Sequence, residues 1–237
     1  MKVVLCSAFR DACGYLDGYL EQMTGLHLAL AAPPRPPGDR LHCVWGEGDS
    51  TDDTLGRLTW AYTYARWAIT IVDCTHGGPR FGSVVNAERF RQLAHVGKQI
   101  FAAIPDDADV VVYVESDLVW EPATLLALIE RVASGGYAVI SPMVFLQREG
   151  WPADSFYDTF AFRAEDRHFA HYRPYHAVYR TGEPFQVDSA GSCLVMRGEI
   201  ARSLHFDEQT IFPDLCRQIR ASGNSIWVDP GCGVYHL

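Results

Sequence analysis

The sequence lacks cysteine pairs at metal-binding spacing and lacks any apolar run long enough to cross a bilayer. Its seven cysteines are odd in number and include no Cys-x-x-Cys, so neither a disulfide framework nor a zinc site is predicted. The first residues pass quickly from a short apolar run to the polar Ser7 to Asp11, which does not fit a signal peptide. We therefore expect a cytoplasmic protein without a membrane segment.

The chain also lacks an excess of basic residues. It has 20 Lys and Arg against 29 Asp and Glu, and its formal net charge at pH 7 is -9. This balance does not favour a nucleic-acid partner or an anionic membrane surface. A nucleic-acid acceptor would require a locally basic groove.

Two common nucleotide-binding motifs are absent as well. The glycine-rich segment 75–82 follows a predicted strand, but it has neither the Gly-x-Gly-x-x-Gly spacing of dinucleotide-binding folds nor the Lys-Ser/Thr of a P-loop. No internal repeat or low-complexity tract is present. The 237 residues, 48% of them apolar, can bury one sizeable core. We predict a single domain over residues 1–237.

The sequence does contain a regular alternation of strand and helix patterns. Strands are predicted at 2–6, 41–45, 68–73, 109–114, 137–141, 193–196 and 225–229. Helices are predicted at 14–26, 54–65, 84–103, 121–132 and 212–221, and a proline-rich loop is predicted at 31–38. This alternation favours an α/β fold with a mostly parallel central sheet flanked by helices.

One predicted strand ends in two carboxylates. Val110 to Val114 form a mainly β-branched apolar run, typical of a strand buried on both faces, and Glu115-Ser116-Asp117 follows it. In an extended chain Glu115 and Asp117 point to the same side, at the strand end where open α/β sheets bind ligands. The pair is predicted to hold a divalent cation. The alternative is a polar turn that caps the next helix.

The alternation stops in the segment 148–184. Its many aromatic residues are mixed with Arg and His, a composition that suits stacking on a sugar or base, or binding a phosphate. Long irregular segments inside compact domains are commonly functional. We expect an acceptor-binding lid here, and the alternative is a hydrophobic cluster under a long loop.

Together these residues resemble the GT-A nucleotide-diphospho-sugar glycosyltransferases, which have a Rossmann-like fold. The resemblance covers nearly the whole chain outside the aromatic segment, and it is either family 2-like or, through Tyr157 to Arg163, similar to the fungal-type mannosyltransferases. The resembling motifs are strand one with Arg10, the turn 47–52, Val114 to Asp117, the turn 187–192, Asp214 to Arg217, and Trp227 to Pro230 followed by Val234 to His236.

The resemblance implies roles for particular residues. Residues 1–117 would form the nucleotide-sugar-binding half, for a UDP-sugar or GDP-sugar, and 118–237 the acceptor-binding half. The metal, Mn²⁺ or Mg²⁺, would be held by Asp117, Glu115 and His236, with Asp117 the safer ligand because a leading Glu departs from the commonest pattern. The residues implied in donor binding are Arg10, Glu47, Asp49, Glu115 and Arg89.

The resemblance does not locate the catalytic group. Inverting relatives carry a Glu-Asp pair shortly before Asp-Leu-Cys, and this chain has Ile211-Phe212 there. Asp188 and Asp214 are therefore the catalytic candidates, although a carboxylate in the first turn of a helix, such as Asp214, is commonly a helix-dipole contact. Inversion or retention stays open, and the absent pair slightly favours a retaining enzyme.

The acceptor and the reaction class also stay open. The acceptor hydroxyl could belong to a glycan, a small molecule, a protein or a modified nucleobase in DNA. A nucleotidyltransferase shares a metal carboxylate at a strand end, but this chain lacks the glycine-rich, Lys- or Arg-bearing loop after strand one. A catalytically silent nucleotide-sugar-binding module would explain the missing Glu-Asp pair.

Overall fold

Strand β1 lies at the centre of the first half of the fold, where the side chains of Val3 to Cys6 are fully buried. The computed structural model describes residues 1–33, 40–82, 84–179, 182–207 and 210–237. The strands are β1 (Lys2–Phe9), β2 (Arg40–Glu47), β3 (Ala68–Asp73), β4 (Val110–Val114), β5 (Leu118–Val119), β6 (Val139–Leu146), β7 (Arg163–Ala164), β8 (Arg167–His168), β9 (Phe185–Val187), β10 (Cys193–Arg197) and β11 (Ile226–His236).

The helices separate these strands along the chain and cover the sheet. They are α1 (Leu16–Ala31), α2 (Thr54–Tyr64), α3 (Ala87–Ala102), α4 (Pro122–Ala133), α5 (Gly198–Ser203) and α6 (Phe212–Ala221). Within the described ranges, no helix is both long enough and apolar enough to cross a membrane.

The described strands form one large mixed sheet and a small separate ribbon of β7 and β8. The order in the large sheet is β3-β2-β1-β4-β10-β6-β11-β5, and β9 also pairs with β11. The neighbours from β3 to β4 are parallel, as are β6 and β11, whereas β10 runs antiparallel between β4 and β6. Most of the residue pairs are parallel, which confirms the predicted fold class.

Several element bounds differ from the prediction for identifiable reasons. Helix α3 begins at Ala87 rather than at residue 84, because the Asn86 side chain accepts the backbone N–H groups of Glu88 and Arg89, at 2.8 and 3.2 Å. Strand β11 runs far past the predicted 225–229, since an irregularity between Asp229 and Gly233 lets it keep pairing with β6. The predicted loop 31–38 lies largely outside the described residues.

Candidate active site

The turn after β4 carries the two predicted metal-binding carboxylates. The Ser116 hydroxyl donates to the Ala8 carbonyl at 2.6 Å, which fixes the turn to the end of β1. The Glu115 backbone N–H donates to the Ser192 carbonyl at 2.8 Å. Antiparallel pairing of β10 with β4 brings Ser192 to this place. Glu115 and Asp117 therefore lie at the carboxyl end of a central strand, as expected.

His236 reaches this turn through strand pairing over a long sequence distance. The last residues of β11 pair antiparallel with β5, which starts directly after Asp117. The Leu237 N–H donates to the Asp117 carbonyl at 3.2 Å, and His236 Nε2 lies 3.1 Å from Asp117 Oδ2. The Tyr157 ring stacks on the imidazole, with 3.7 Å between ring centroids. The imidazole is therefore held in one orientation beside the carboxylate.

The three side chains form a compact cluster, in which one ligand atom of each of Glu115, Asp117 and His236 lies within 4.8 Å of the others. Burial, with the negative charges of Asp117 and Asp158, raises the pKa of Glu115 to about 7. Burial opposes protonation of His236, but its hydrogen bond to Asp117 and the charges of both carboxylates outweigh that effect and raise its pKa. The cluster concentrates negative charge at the sheet edge.

A third carboxylate, that of Asp158, lies beside this cluster. It accepts the Ala161 N–H at 2.9 Å and the Ser192 hydroxyl at 3.3 Å, and burial raises its pKa to about 6. The backbone at position 191 needs glycine here, because a Cβ on Gly191 would lie 2.6 Å from Asp158 Oδ2. Asp158 was not among the site residues predicted from the sequence, where Tyr157 to Arg163 carried only the resemblance.

A cavity of about 620 Å³ opens over these side chains, which is within the size range of small-molecule sites. Glu115, Asp158, Ser192 and His236 line one part of it. The rest of the wall comes from α3, from the start of α6 and from the segment 148–184. Polar and apolar surfaces therefore meet in one cavity beside Glu115 and His236.

The predicted donor-binding residues divide into two groups. Glu115 and Arg89 line the cavity, with Arg89 projecting from the first turn of α3. Arg10, Glu47 and Asp49 are not among the described residues that line the cavity. Arg10 donates to the Gly78 carbonyl at 3.0 Å, whereas Glu47 is buried at the end of β2.

Asp49 is bound to the glycine-rich segment 75–82 rather than to the cavity. It accepts the His76 and Gly77 N–H groups at 3.0 and 3.1 Å, and the His76 ring lies 3.2 Å from it. These backbone hydrogen bonds, led by that of His76, lower the pKa of Asp49. The segment therefore covers the strand ends at which the resemblance places the donor.

The two predicted catalytic carboxylates lie in a different, smaller cavity of about 330 Å³. Asp188 pairs with Arg220 at 3.0 Å and accepts the Asp166 N–H at 3.0 Å. Asp214 accepts the Ile211 N–H at the start of α6, at 3.2 Å, and pairs with Arg217. The structure therefore brings Glu115, Asp117 and His236 together but places Asp188 and Asp214 apart from them. A catalytic role for either stays a prediction.

The aromatic segment 148–184 contains both a buried cluster and cavity-lining residues. Phe156, Phe162, Phe169 and Tyr175 are buried and pack on one another, which is the hydrophobic cluster considered as the alternative. Trp151 and Phe160 line the cavity, as do Arg148 and Thr159. The segment therefore supplies part of the cavity wall on top of a core of its own, to which four of its nine Phe, Tyr and Trp residues belong.

No family model matches the sequence, and no curated protein matches it either. Solved structures do match. A fragment of TarS from S. aureus, residues 1–349, has a TM-score of 0.54 at 16% identity over 100% of this chain and 60% of that one. GalNAc-T7, crystallised with UDP, GalNAc and Mn²⁺, has a TM-score of 0.58 at 11% identity over 99% of this chain and 43% of that one. The chain has the GT-A fold.

The same TarS fragment in complex with UDP-GlcNAc matches with a TM-score of 0.54 at 15% identity, over 99% of this chain and 58% of that one. This chain thus spans less than two thirds of the length of each of these proteins. At such low identities the comparison establishes the fold and leaves residue roles to the site itself.

The metal-ligating side chains that cluster in this GT-A fold, Glu115, Asp117 and His236, fit a divalent cation. Two carboxylates and one imidazole are ligands that Mn²⁺ and Mg²⁺ accept at an oxygen-rich site. Their ligand atoms lie within 4.8 Å of one another, and burial, together with the negative charges of Asp117 and Asp158, raises the pKa of Glu115. A cation would relieve that repulsion. The particular metal is not determined by this donor set.

Proposed function

We propose that the protein is a metal-dependent glycosyltransferase that moves a sugar from a nucleotide-diphospho-sugar to an acceptor hydroxyl. The observation that carries the proposal is the cluster of Glu115, Asp117 and His236 within 4.8 Å, at the carboxyl end of β4 in a GT-A fold. Matching structures of that fold were solved with UDP, UDP-GlcNAc and Mn²⁺. A UDP-sugar or GDP-sugar is the proposed donor, and Mn²⁺ or Mg²⁺ the proposed cation.

Glu115, Asp117 and His236 would hold the cation. When bound, it would neutralise the negative charge that develops on the departing nucleoside diphosphate. The stacking of Tyr157 on His236 and the Ser116 anchor keep these ligands in place. Arg89 lines the same cavity and would contact the donor phosphates as the second positive group.

Donor binding by Arg10, Glu47 and Asp49 requires a rearrangement of the segment 75–82. Two backbone N–H groups of this segment donate hydrogen bonds to Asp49, and its Gly78 carbonyl accepts one from Arg10. We propose that the donor nucleotide displaces these contacts. The division into a donor half, 1–117, and an acceptor half, 118–237, is retained as part of the proposal, with Glu115 and Asp117 from the first and His236 from the second.

Asp158 is the carboxylate best placed to accept the acceptor proton. It lines the cavity, and its two oxygens are held in position by Ala161 and Ser192. Asp188 and Asp214, by contrast, form ion pairs with arginines outside the cavity. We therefore prefer Asp158 as general base over the two candidates chosen from the sequence, in an inverting transfer.

The reaction class is tested by incubating the protein with Mn²⁺ and a panel of UDP- and GDP-sugars, with and without excess EDTA. A glycosyltransferase releases free nucleoside diphosphate, slowly even when water is the acceptor, and EDTA suppresses the release. Release of pyrophosphate would instead identify a nucleotidyltransferase. Binding of a nucleotide sugar without either product would identify a catalytically silent binding module.

A further inference from the structure

The cavity beside the metal cluster has a long apolar wall that the metal chemistry does not use. On α3, the residues that line the cavity between positions 90 and 101 are Phe90, Leu93, Val96, Gly97 and Phe101. They recur at intervals of three or four residues and so form one face of the helix. None of them carries a polar side chain. A sugar with several hydroxyl groups would find no hydrogen-bond partner among these side chains.

Opposite side chains continue this apolar surface. Phe160 stacks on Phe90, with ring centroids 5.8 Å apart, and Phe206 packs on Phe101 at 4.9 Å. Phe212, at the start of α6, packs on Tyr113 at 4.7 Å. Phe160, Phe206 and Phe212 all line the cavity. The apolar wall is therefore built by separate parts of the chain whose aromatic rings contact one another and line the same cavity.

Part of this apolar wall is exposed to solvent. Leu93 is 45% exposed and Val85, which also lines the cavity, is 77% exposed. Apolar side chains in the core of this protein are nearly all fully buried, so a concave group left open beside polar groups is typical of a ligand site. Of the predicted donor residues, Arg10, Glu47 and Asp49 are not among the described residues that line the cavity, and Arg89 and Glu115 line it outside the apolar face of α3. This leaves the apolar wall itself for the acceptor.

Resting on the proposed function, we infer that the acceptor is an amphipathic alcohol or phenol, with an aromatic or alkyl body against the α3 wall and its hydroxyl toward Glu115 and Asp158. In the transfer, the acceptor oxygen forms a bond to the anomeric carbon as the bond from that carbon to the phosphate oxygen breaks. The electron pair leaves with the nucleoside diphosphate, and the hydroxyl proton passes to the Asp158 carboxylate.

The test uses a series of 4-alkylphenols as acceptors, with methyl glycosides as polar comparators, the donor that turns over in the nucleotide-sugar panel, and Mn²⁺. Glycosylated product is detected by mass, and KM is compared along the series. Each added methylene that reaches the wall is expected to lower KM about threefold to fourfold. Methyl glycosides used as well as the alkylphenols would overturn the inference.

A pair of substitutions at exposed helical leucines tests the wall itself. Leu93→Gln is expected to raise KM for the longer alkylphenols about tenfold and to flatten the dependence on chain length. Leu55→Gln on α2 is the matched control, because Leu55 is similarly exposed, at 49%, and does not line the cavity in the described structure. Equal KM values for both variants would contradict the assignment of the wall.

A binding measurement separates this inference from the proposed function. The dye 8-anilinonaphthalene-1-sulfonate is expected to bind the wild type more tightly than Leu93→Gln, and the alkylphenols are expected to displace it. If no nucleotide sugar turns over, the proposed function fails, but displacement of the dye still supports an apolar ligand site. Displacement without glycosylation, in a protein that hydrolyses its donor, would overturn the acceptor assignment.

Discussion

Two clusters of carboxylates lie beyond strand ends in this protein, and their surroundings are opposite. The first cluster consists of Asp11, Asp49 and Asp52, which accept backbone N–H groups. Asp11 accepts that of Thr51 at 2.7 Å, and Asp49 accepts that of His76 at 3.0 Å. In the second, Glu115, Asp117 and Asp158 lie near one another with one imidazole. The first cluster organises turns, whereas the second concentrates charge.

The pKa values follow this difference. The Thr54 hydroxyl and the N–H groups of Cys13 and Thr54 lower the pKa of Asp52 to about 2, and the Thr51 N–H lowers that of Asp11. Burial and neighbouring charge raise the pKa of Glu115 to about 7. Burial makes the difference, because Asp158 also accepts two hydrogen bonds and its pKa is still raised. A partly or fully exposed carboxylate that accepts hydrogen bonds is stabilised as an anion, whereas buried carboxylates near one another favour a cation or a proton. Counting acidic residues does not separate these cases.

The largest expected effect comes from Asp117→Asn. It should lower metal-dependent turnover by more than about 1000-fold, because several kcal/mol of leaving-group stabilisation are lost. Folding should be unaffected, since the Asp117 side chain is 37% exposed. Nucleoside diphosphate release measures turnover, and Mn²⁺ titration calorimetry measures metal binding. Wild-type turnover in this variant would remove Asp117 from the metal site.

Asp158→Asn is expected to lower sugar transfer by about 100-fold or more, because an amide cannot accept the acceptor proton. Its oxygen can still accept the Ala161 N–H, so the fold and the affinity for Mn²⁺ should be retained. The matched variant is Asp188→Asn, for which we expect a change of less than about threefold. A larger loss in Asp188→Asn than in Asp158→Asn would return the catalytic role to the residue chosen from the sequence.

The pH dependence of stability should differ between wild type and Glu115→Gln. An acid whose pKa is raised on folding binds more protons folded than unfolded, so stability falls as pH rises through the interval from 4.5 to about 7. Glutamine removes this dependence. The melting temperature of Glu115→Gln minus that of wild type, measured without metal, should therefore increase from pH 5 to pH 7.5, by about 2–4 °C for each kcal/mol.

Saturating Mn²⁺ provides the control for this measurement. It should stabilise the wild type at pH 7.5 and reduce the difference in melting temperature, because a bound cation replaces the missing compensation. A difference that stays constant between pH 5 and pH 7.5 would show that the Glu115 carboxyl is not destabilised by its surroundings.

The smallest effect is expected in the first cluster. Asp52→Ala removes the acceptor for the N–H groups of Thr54, at 3.0 Å, and Cys13, at 3.1 Å, and should cost about 1 kcal/mol of unfolding free energy. Since the pKa of Asp52 is lowered, the loss should be present above its ordinary value of 3.8 and vanish as pH falls toward about 2. Urea unfolding at two pH values measures it. Turnover per folded molecule should be unchanged.

The local sequence pattern alone determined the class of fold and two of the three residues of the candidate metal site. The β-branched run before Glu115 predicts a buried strand whatever surrounds it. Two carboxylates two residues apart at its end point to the same side of an extended chain. The alternation of patterns likewise predicted the parallel first half, because each element there pairs with or packs on a near neighbour in the chain. Bounds were less exact where a side chain caps a helix, as Asn86 does.

The resemblance had named His236 as a third ligand, but only the tertiary structure decided how it and the other residues reach that site. His236 meets Asp117 because β11 pairs with β5, and Ser192 meets Glu115 because β10 reverses beside β4. These pairings link residues more than 70 positions apart, and no local pattern encodes them. The same holds for Asp158, which lies among aromatic residues in the sequence. Its burial beside the cluster, and the arginine partners of Asp188 and Asp214, depend on packing between distant segments.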